Sequence, residues 1–191
     1  MIRFEPREAA DVARLIADYP LAWAVSRAFH ASPLPLIAET DADGRVTALF
    51  GHCGRRNPLV SDFAADRRGL VLFNGPQGYV SPLLLSQPDW APTWNYAVLR
   101  FVVDVDIVED ETRDAIDRLA AHLEGDRWST DRVGPRCETL LQHIVAFRAH
   151  VVSVETGFKL GQDESRTGFA EIVAGHPDRT LAAWMEEQAR P

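Results

Sequence analysis

The segment Tyr96 to Val108, YAVLRFVVDVDIV, places Leu99, Phe101, Val103, Val105 and Ile107 on one side of a two-residue alternation and Val98, Arg100, Val102, Asp104 and Asp106 on the other. Successive side chains of a strand point to opposite faces, so one face of this segment is apolar along its whole length while the other turns polar. An apolar face of that length has to be covered by other elements of the chain.

The flanking sequence offers them. Pro6 to Asp18 reads as a helix with Pro near its first turn, with Ala10, Val12 or Ala13, Leu15 and Ile16 on one face, and with Pro20 ending it. Ala22 to His30 and Leu34 to Glu39 read as strands, and DADG at Asp41 to Gly44 carries hairpin-turn chemistry into a strand over Arg45 to Gly51. Leu70 to Phe73 and Gly78 to Ser81 read as two further short strands. Glu111 to Glu124 has Ile116, Leu119, Ala120 and Leu123 at core spacing and stops at Gly125, which predicts a helix. Arg136 to Phe147 predicts another, Ala149 to Glu155 a strand, and Arg179 to Gln188 a closing helix with Leu181, Trp184 and Met185 on one stripe. Several short strands, one long one and peripheral helices predict an α+β chain built on a closed or nearly closed barrel. With no repeat or linker to divide it, the chain over 1–191 is expected to form a single domain with an N-terminal helix and a C-terminal helical extension.

Composition narrows the function classes. The 191 residues, 46% hydrophobic and 25% charged, suit a globular core. No apolar run approaches the ~18 residues of a membrane span. Met1 to Arg14 has no apolar signal-peptide region, so a cytoplasmic location is expected. A net charge of −8 and a pI near 5.2 argue against nucleic-acid binding through a general field, and direct DNA binding is not expected. The basic pairs Arg55-Arg56 and Arg67-Arg68 suit a small anionic ligand better than a duplex. Cys53 and Cys137 lack disulfide or zinc-site spacing. The histidines, His30, His52, His122, His143, His150 and His176, accompany no nucleophile elbow and no metal-ligand spacing, so no catalytic or metal-binding residues are assigned.

Four short motifs carry the remaining information. In GHCGRRNP, Gly51 to Pro58, a turn after a strand presents Arg55 and Asn57. Either guanidinium and free turn amides gather a phosphate, or this is a solvated turn with a capping Asn. His52 within it is expected to be a buried, hydrogen-bonded ring supporting the turn rather than an acid or base. FNGPQGYVSP, Phe73 to Pro82, either brings backbone close to a flat ligand beside Tyr79 or forms a tight hairpin around a core Tyr. TWNY, Thr93 to Tyr96, puts Trp94 at the start of the long strand as a stacking face or a core anchor, with Asn95 able to satisfy a donor and an acceptor on a heterocycle edge. FKLGQ, Phe158 to Gln162, adds Lys159 and Gln162, which are ordinary taken alone.

Together, and in this order, the motifs resemble the PaiB-like family of FMN-binding split-barrel proteins, often labelled negative transcriptional regulators. The resemblance spans roughly Ala22 to Gly175 and matches the family's GHxARANP, FxGPxAYISP, PTWNY and KLSQN segments. It implies a homodimer of six-stranded barrels with FMN in a groove at the subunit interface. It also implies that Arg55 and Asn57 hold phosphate or ribityl oxygens, that Tyr79, Val80 and Ser81 border the isoalloxazine, and that Trp94, Asn95, Lys159 and Gln162 complete the site. The chain departs from the pattern at Pro33, Leu84, Leu85, Gly161 and Asp163, where the family commonly has His, Trp, Tyr, Ser and Asn. The function implied is FMN binding with a regulatory role. The alternatives are a flavin-dependent oxidoreductase using NAD(P)H, or a split barrel that has lost FMN and binds another small ligand or a protein partner.

Overall fold

The computed structural model describes residues 4–189. In chain order the elements are α1 (Ala9–Asp18), β1 (Leu21–Ser26), β2 (Ala31–Thr40), β3 (Val46–Gly54), α2 (Pro58–Ala65), β4 (Arg68–Val80), β5 (Thr93–Ile107), α3 (Thr112–Glu124), α4 (Arg136–Leu141), β6 (Ile144–Lys159), α5 (Arg166–Gly175) and α6 (Arg179–Gln188). The six strands close into a barrel in the order β1-β2-β3-β6-β5-β4. Every pairing whose register is resolved, β1 with β2 and β4, and β3 with β2 and β6, is antiparallel. Closure satisfies the edge groups that an open sheet would leave unpaired.

The chain packs as two compact units. The larger comprises Ala9–Phe73 and Arg100–Glu155; the other comprises Asn74–Leu99 with the described residues up to Glu8 and from Thr156 onward. In the larger unit the alternation of β5 holds as expected: Phe101, Val103 and Val105 are buried, and Phe101 meets Phe73 edge-on at 6.0 Å between ring centroids. The strand β3 is buried on both faces, because Phe50 lies with Ala115 of α3 and Ala146 of β6 on one side while Leu49, Gly51 and Cys53 fall on the other. Gly51 is dictated by that crowding. A Cβ there would come within 2.5 Å of Leu36 Cδ2 and 2.8 Å of the Pro35 carbonyl oxygen. In the smaller unit, Phe158, Trp184, Leu181 and Met185 form the buried centre, with the Phe158 and Trp184 rings 6.2 Å apart.

Several elements differ from the sequence expectation. The predicted helix Arg136 to Phe147 stops at Leu141, and Ile144 instead opens β6, pairing with Gly54. A short apolar run such as IVAF has no period that separates helix from strand, and ladder pairing decides. The two short strands Leu70 to Phe73 and Gly78 to Ser81 are one continuous strand, β4, whose Gly75, Pro76 and Gly78 lie within it rather than in a hairpin turn. The predicted strand to His30 ends at Ser26, where Phe29 adopts a left-handed φ of 64° in the turn to β2. The first helix begins at Ala9 rather than Pro6, and Met1 to Arg3 of the N-terminal reading lie outside the described residues. Neither α2 nor α5 was expected from periodicity. Pro58 breaks the strand side of its turn but occupies the first turn of α2, where a missing N–H costs nothing. No described helix is long and apolar enough to cross a membrane.

Candidate functional site

In the larger unit, β3 delivers the chain into the turn carrying Arg55 and Asn57. Asn57 is the N-cap of α2: its Oδ1 accepts the Leu59 amide at 3.0 Å and its Nδ2 donates to Ser32 Oγ at 2.9 Å. The capping-Asn alternative is the one seen at this turn, and two of its amides are engaged: Arg55 N donates to the His143 carbonyl at 2.9 Å and Asn57 N to the Gly54 carbonyl at 2.8 Å. The Arg55 guanidinium donates to Glu109 Oε2 at 2.8 Å and to the Gln142 carbonyl at 3.1 Å. Its ion pair is solvent-exposed, and exposed pairs of this kind contribute about 0–1 kcal/mol, so Arg55 can exchange Glu109 for another anion at little cost. His52 differs from its expected role: its Nδ1 is buried with no hydrogen-bond partner, and burial pushes its pKa down, favouring the neutral ring. Burial likewise pushes the Cys53 thiol up to about 11, which makes it an inert packing group.

In the smaller unit, Tyr79 on β4 and Trp94 on β5 stand side by side, with ring centroids 5.9 Å apart and planes at 59°. They are 50% and 48% exposed, so neither is the core residue that the plainer sequence reading allowed. Trp94 Nε1 donates to Gln77 Oε1 at 2.6 Å, which fixes the indole. Lys159, at the end of β6, is far from an ordinary solvated lysine: its side chain is 16% exposed, and Nζ donates to Thr93 Oγ1 at 2.7 Å and to the Trp94 carbonyl at 3.3 Å. Asp163 lies 3.9 Å away and supplies part of its charge balance.

The pleat sends the neighbours of these residues the other way. Val80 and Asn95 are both fully buried, and the Asn95 amide directs Nδ2 to Met185 Sδ at 3.5 Å while its Oδ1 has no partner. Ser81 Oγ accepts the Leu83 amide at 3.2 Å and caps the turn Pro82–Leu84. Gln162 folds over its own turn, with Oε1 accepting the Leu160 amide at 2.7 Å and Nε2 donating to the Phe158 carbonyl at 2.5 Å. Thus Tyr79, Trp94 and Lys159 are brought together, while Asn57, Val80, Ser81, Asn95 and Gln162 are engaged in holding backbone or core. Gln77 and Thr93 were missed by sequence reasoning. Gln77 lies two residues from Tyr79 on the same strand, so period-two alternation would have placed both on one face.

Three of the departures from the family pattern have a visible local setting. Gly161 has φ 90°, a left-handed value, and a Cβ there would sit 3.0 Å from Met185 and Phe169, so the Ser of the family pattern would be strained. Leu84 and Leu85 lie over α5, where added Cβ atoms on Gly175 and Gly168 would come within 3.1 and 3.2 Å of them.

The family described as "Putative FMN-binding domain" matches residues 2–153. This chain belongs to that family. As a member of this FMN-binding family it has FMN as its cofactor, and the residues present fit the group. An exposed Tyr79–Trp94 pair offers flat apolar faces and Lys159 offers a cation beside it. Lys159 and Gln162 fall outside the stretch matched to the FMN-binding family, so their assignment rests on this geometry and on the motif order. The protease synthase and sporulation protein PAI 2 of Bacillus subtilis is 28% identical over 132 residues, which cover 65% of this chain and 62% of that protein. Among solved structures, the flavocytochrome Anf3 of Azotobacter vinelandii superposes with a TM-score of 0.61 at 10% identity, covering 82% of this chain and 68% of that one. The FAD- and heme-binding protein of Mycobacterium smegmatis gives 0.58 at 18% identity, covering 86% and 77%. At these identities the two structures establish the barrel fold and no more.

Proposed function

We propose that this protein is a PaiB-like flavoprotein that binds FMN against the exposed Tyr79–Trp94 pair. The observation that carries this reading is the pairing of two half-exposed aromatic rings with a lysine anchored at 2.7 Å on Thr93. Two adjacent half-exposed aromatic rings make a contiguous apolar surface, and a flat heterocycle is a natural complement to it. Lys159 supplies a positive charge toward an electron-rich edge or a phosphate oxygen. Arg55 is separately proposed as a ligand for a phosphate-type anion, released from Glu109 when a dianion competes. Asn57, Ser81 and Gln162 hold backbone through their side chains, and Val80 and Asn95 pack in the core.

FMN, when bound, supplies reversible electron and hydride transfer. The chain's own residues bind, orient and shield. About 30 non-hydrogen atoms at roughly −0.3 kcal/mol each give about −9 kcal/mol, which corresponds to sub-micromolar affinity. The protein is further proposed to be a homodimer. Support comes from an exposed apolar strip on β1 and β4, where Leu21, Trp23 and Leu70 are exposed and the register pairs Trp23 with Leu72 and Val25 with Leu70. A regulatory role would run through a partner or through flavin state, because a chain of net charge −8 has no field for duplex DNA.

The test is an FMN titration followed by flavin absorbance and fluorescence, with light scattering on the same sample. Saturable binding at micromolar or lower FMN is expected, weakened about 5- to 10-fold in each of Lys159→Ala and Trp94→Ala. Absence of saturable binding would overturn the flavoprotein reading. A strictly monomeric species would overturn the dimer.

A further inference from the structure

We infer that His176 is a positioning residue for the proposed flavin face, acting through the main chain of Tyr79. This rests on the reading of Tyr79 and Trp94 given above. His176 lies between α5 and α6, beyond the stretch matched to the FMN-binding family and outside every motif in the sequence. It is 4% exposed. Its Nε2 lies 3.1 Å from the carbonyl oxygen of Tyr79. A carbonyl oxygen only accepts, so Nε2 carries the proton and donates. On the other side of the ring Nδ1 lies 3.1 Å from the Asp178 amide nitrogen and 3.3 Å from the Asp178 carbonyl oxygen, so the ring is held there too.

The ring is held from both ends. The backbone N–H of His176 closes α5 on the Ile172 carbonyl at 2.8 Å. Asp178 opens α6, its Oδ1 accepting the amides of Thr180 at 2.8 Å and Leu181 at 3.1 Å. The imidazole therefore sits at a corner fixed by two helix ends, and it reaches β4 where Gly78 has no side chain. A Cβ on Gly78 would come within 2.8 Å of His176 Cε1 and 2.9 Å of Leu181 Cδ2. The close approach at Gly78 is what lets Nε2 hold the next carbonyl, and that peptide sets the direction in which the Tyr79 ring leaves the strand toward Trp94.

Two roles can be told apart. If His176 were only filler, an apolar side chain of similar size would serve. If it positions Tyr79 by donation, an amide donor should replace it and an apolar group should not. The experiment uses the full chain as wild type, His176→Leu, His176→Gln and Tyr79→Leu. Near-UV circular dichroism without flavin reads the Tyr79–Trp94 couplet as the difference from Tyr79→Leu, thermal melting confirms folding, and FMN titration reads the site. The expected result is that folded His176→Leu loses the couplet and binds FMN about fivefold more weakly, the loss of one hydrogen bond, while His176→Gln recovers most of both.

His176→Leu with a wild-type couplet would overturn the inference, as would His176→Gln being no better than His176→Leu. If His176→Leu does not fold, His176→Gln against wild type decides: a retained couplet supports donation, and a lost one overturns it. Failure of the wild type to bind FMN while the couplet still depends on the donor would remove the proposed function and leave the role of His176 standing.

Discussion

Replacing Arg148 by Met tests how the larger unit is held together. Arg148 on β6 donates through Nε to Glu39 Oε2 at 2.8 Å, and through Nη1 and Nη2 to the two oxygens of Glu111 at 2.7 and 2.6 Å. Its guanidinium carbon lies 4.6 Å from the centre of the fully buried Phe50 ring, and that of Arg118 lies 4.8 Å from it. Methionine keeps an apolar side chain at this position but removes the cation over Phe50 and leaves Glu39 and Glu111 without their shared partner, with Glu39 still held by Arg118 at 2.8 Å. Hydrogen bonds to charged groups contribute ~1.5–3 kcal/mol each. The side chains of Arg148, Glu39 and Glu111 are 20%, 24% and 34% exposed, so solvent screening discounts the sum. A net loss of about 2–3 kcal/mol is expected, which in a chain of this size lowers Tm by roughly 4–12 °C.

The pH dependence of that loss has a definite sign. Burial raises the Glu39 pKa, but hydrogen bonds from Arg148 and Arg118 outweigh it and hold the carboxyl below its usual value. Glu111 is held low mainly by its hydrogen bond to Arg148. A carboxylate with a lowered folded pKa contributes stability that is present above its unfolded pKa and lost as pH falls through the folded one. Urea melts of wild type and Arg148→Met should therefore differ most at neutral pH and converge below about pH 4. Arg148→Lys, which keeps the charge without the planar fork, should fall between them. A difference that is the same at pH 7 and pH 3, or one below about 0.5 kcal/mol at pH 7, would refute the reasoning.

Two further substitutions probe the elements around the Arg55 turn. Gly51→Ala should destabilise by about 1–3 kcal/mol in urea, because the obstructing Pro35 oxygen belongs to a paired strand and cannot swing away; a neutral result would mean that β2 and β3 yield more than their register suggests. Asn57→Ala removes the α2 cap and the contact to Ser32, and should cost about 1 kcal/mol, whereas Asn57→Asp should retain the cap and most of the stability by the same melt.

The sequence by itself determined the barrel's main parts. The alternation of β5 needs only a period of two, the closing helix Arg179–Gln188 carries its own apolar stripe, and the ordered motifs were enough to point to the FMN-binding family. These are local patterns, or patterns of order, and they survive without knowledge of what packs against what. Tertiary structure decided the rest. Whether Ile144 to Phe147 is helix or strand depends on the Gly54 partner, and Gly75 to Gly78, which read locally as a turn, run on as strand within β4. The site shows the same division: Tyr79 and Val80, or Trp94 and Asn95, look equally eligible in sequence, yet the pleat gives one of each pair to solvent and the other to the core. Lys159 looks unremarkable until Thr93, 66 positions earlier, is seen to hold it, and His176 has no local signature at all because its partner, Tyr79, lies 97 positions away. Contacts between residues that distant follow from how the strands and helices pack, which no local pattern encodes.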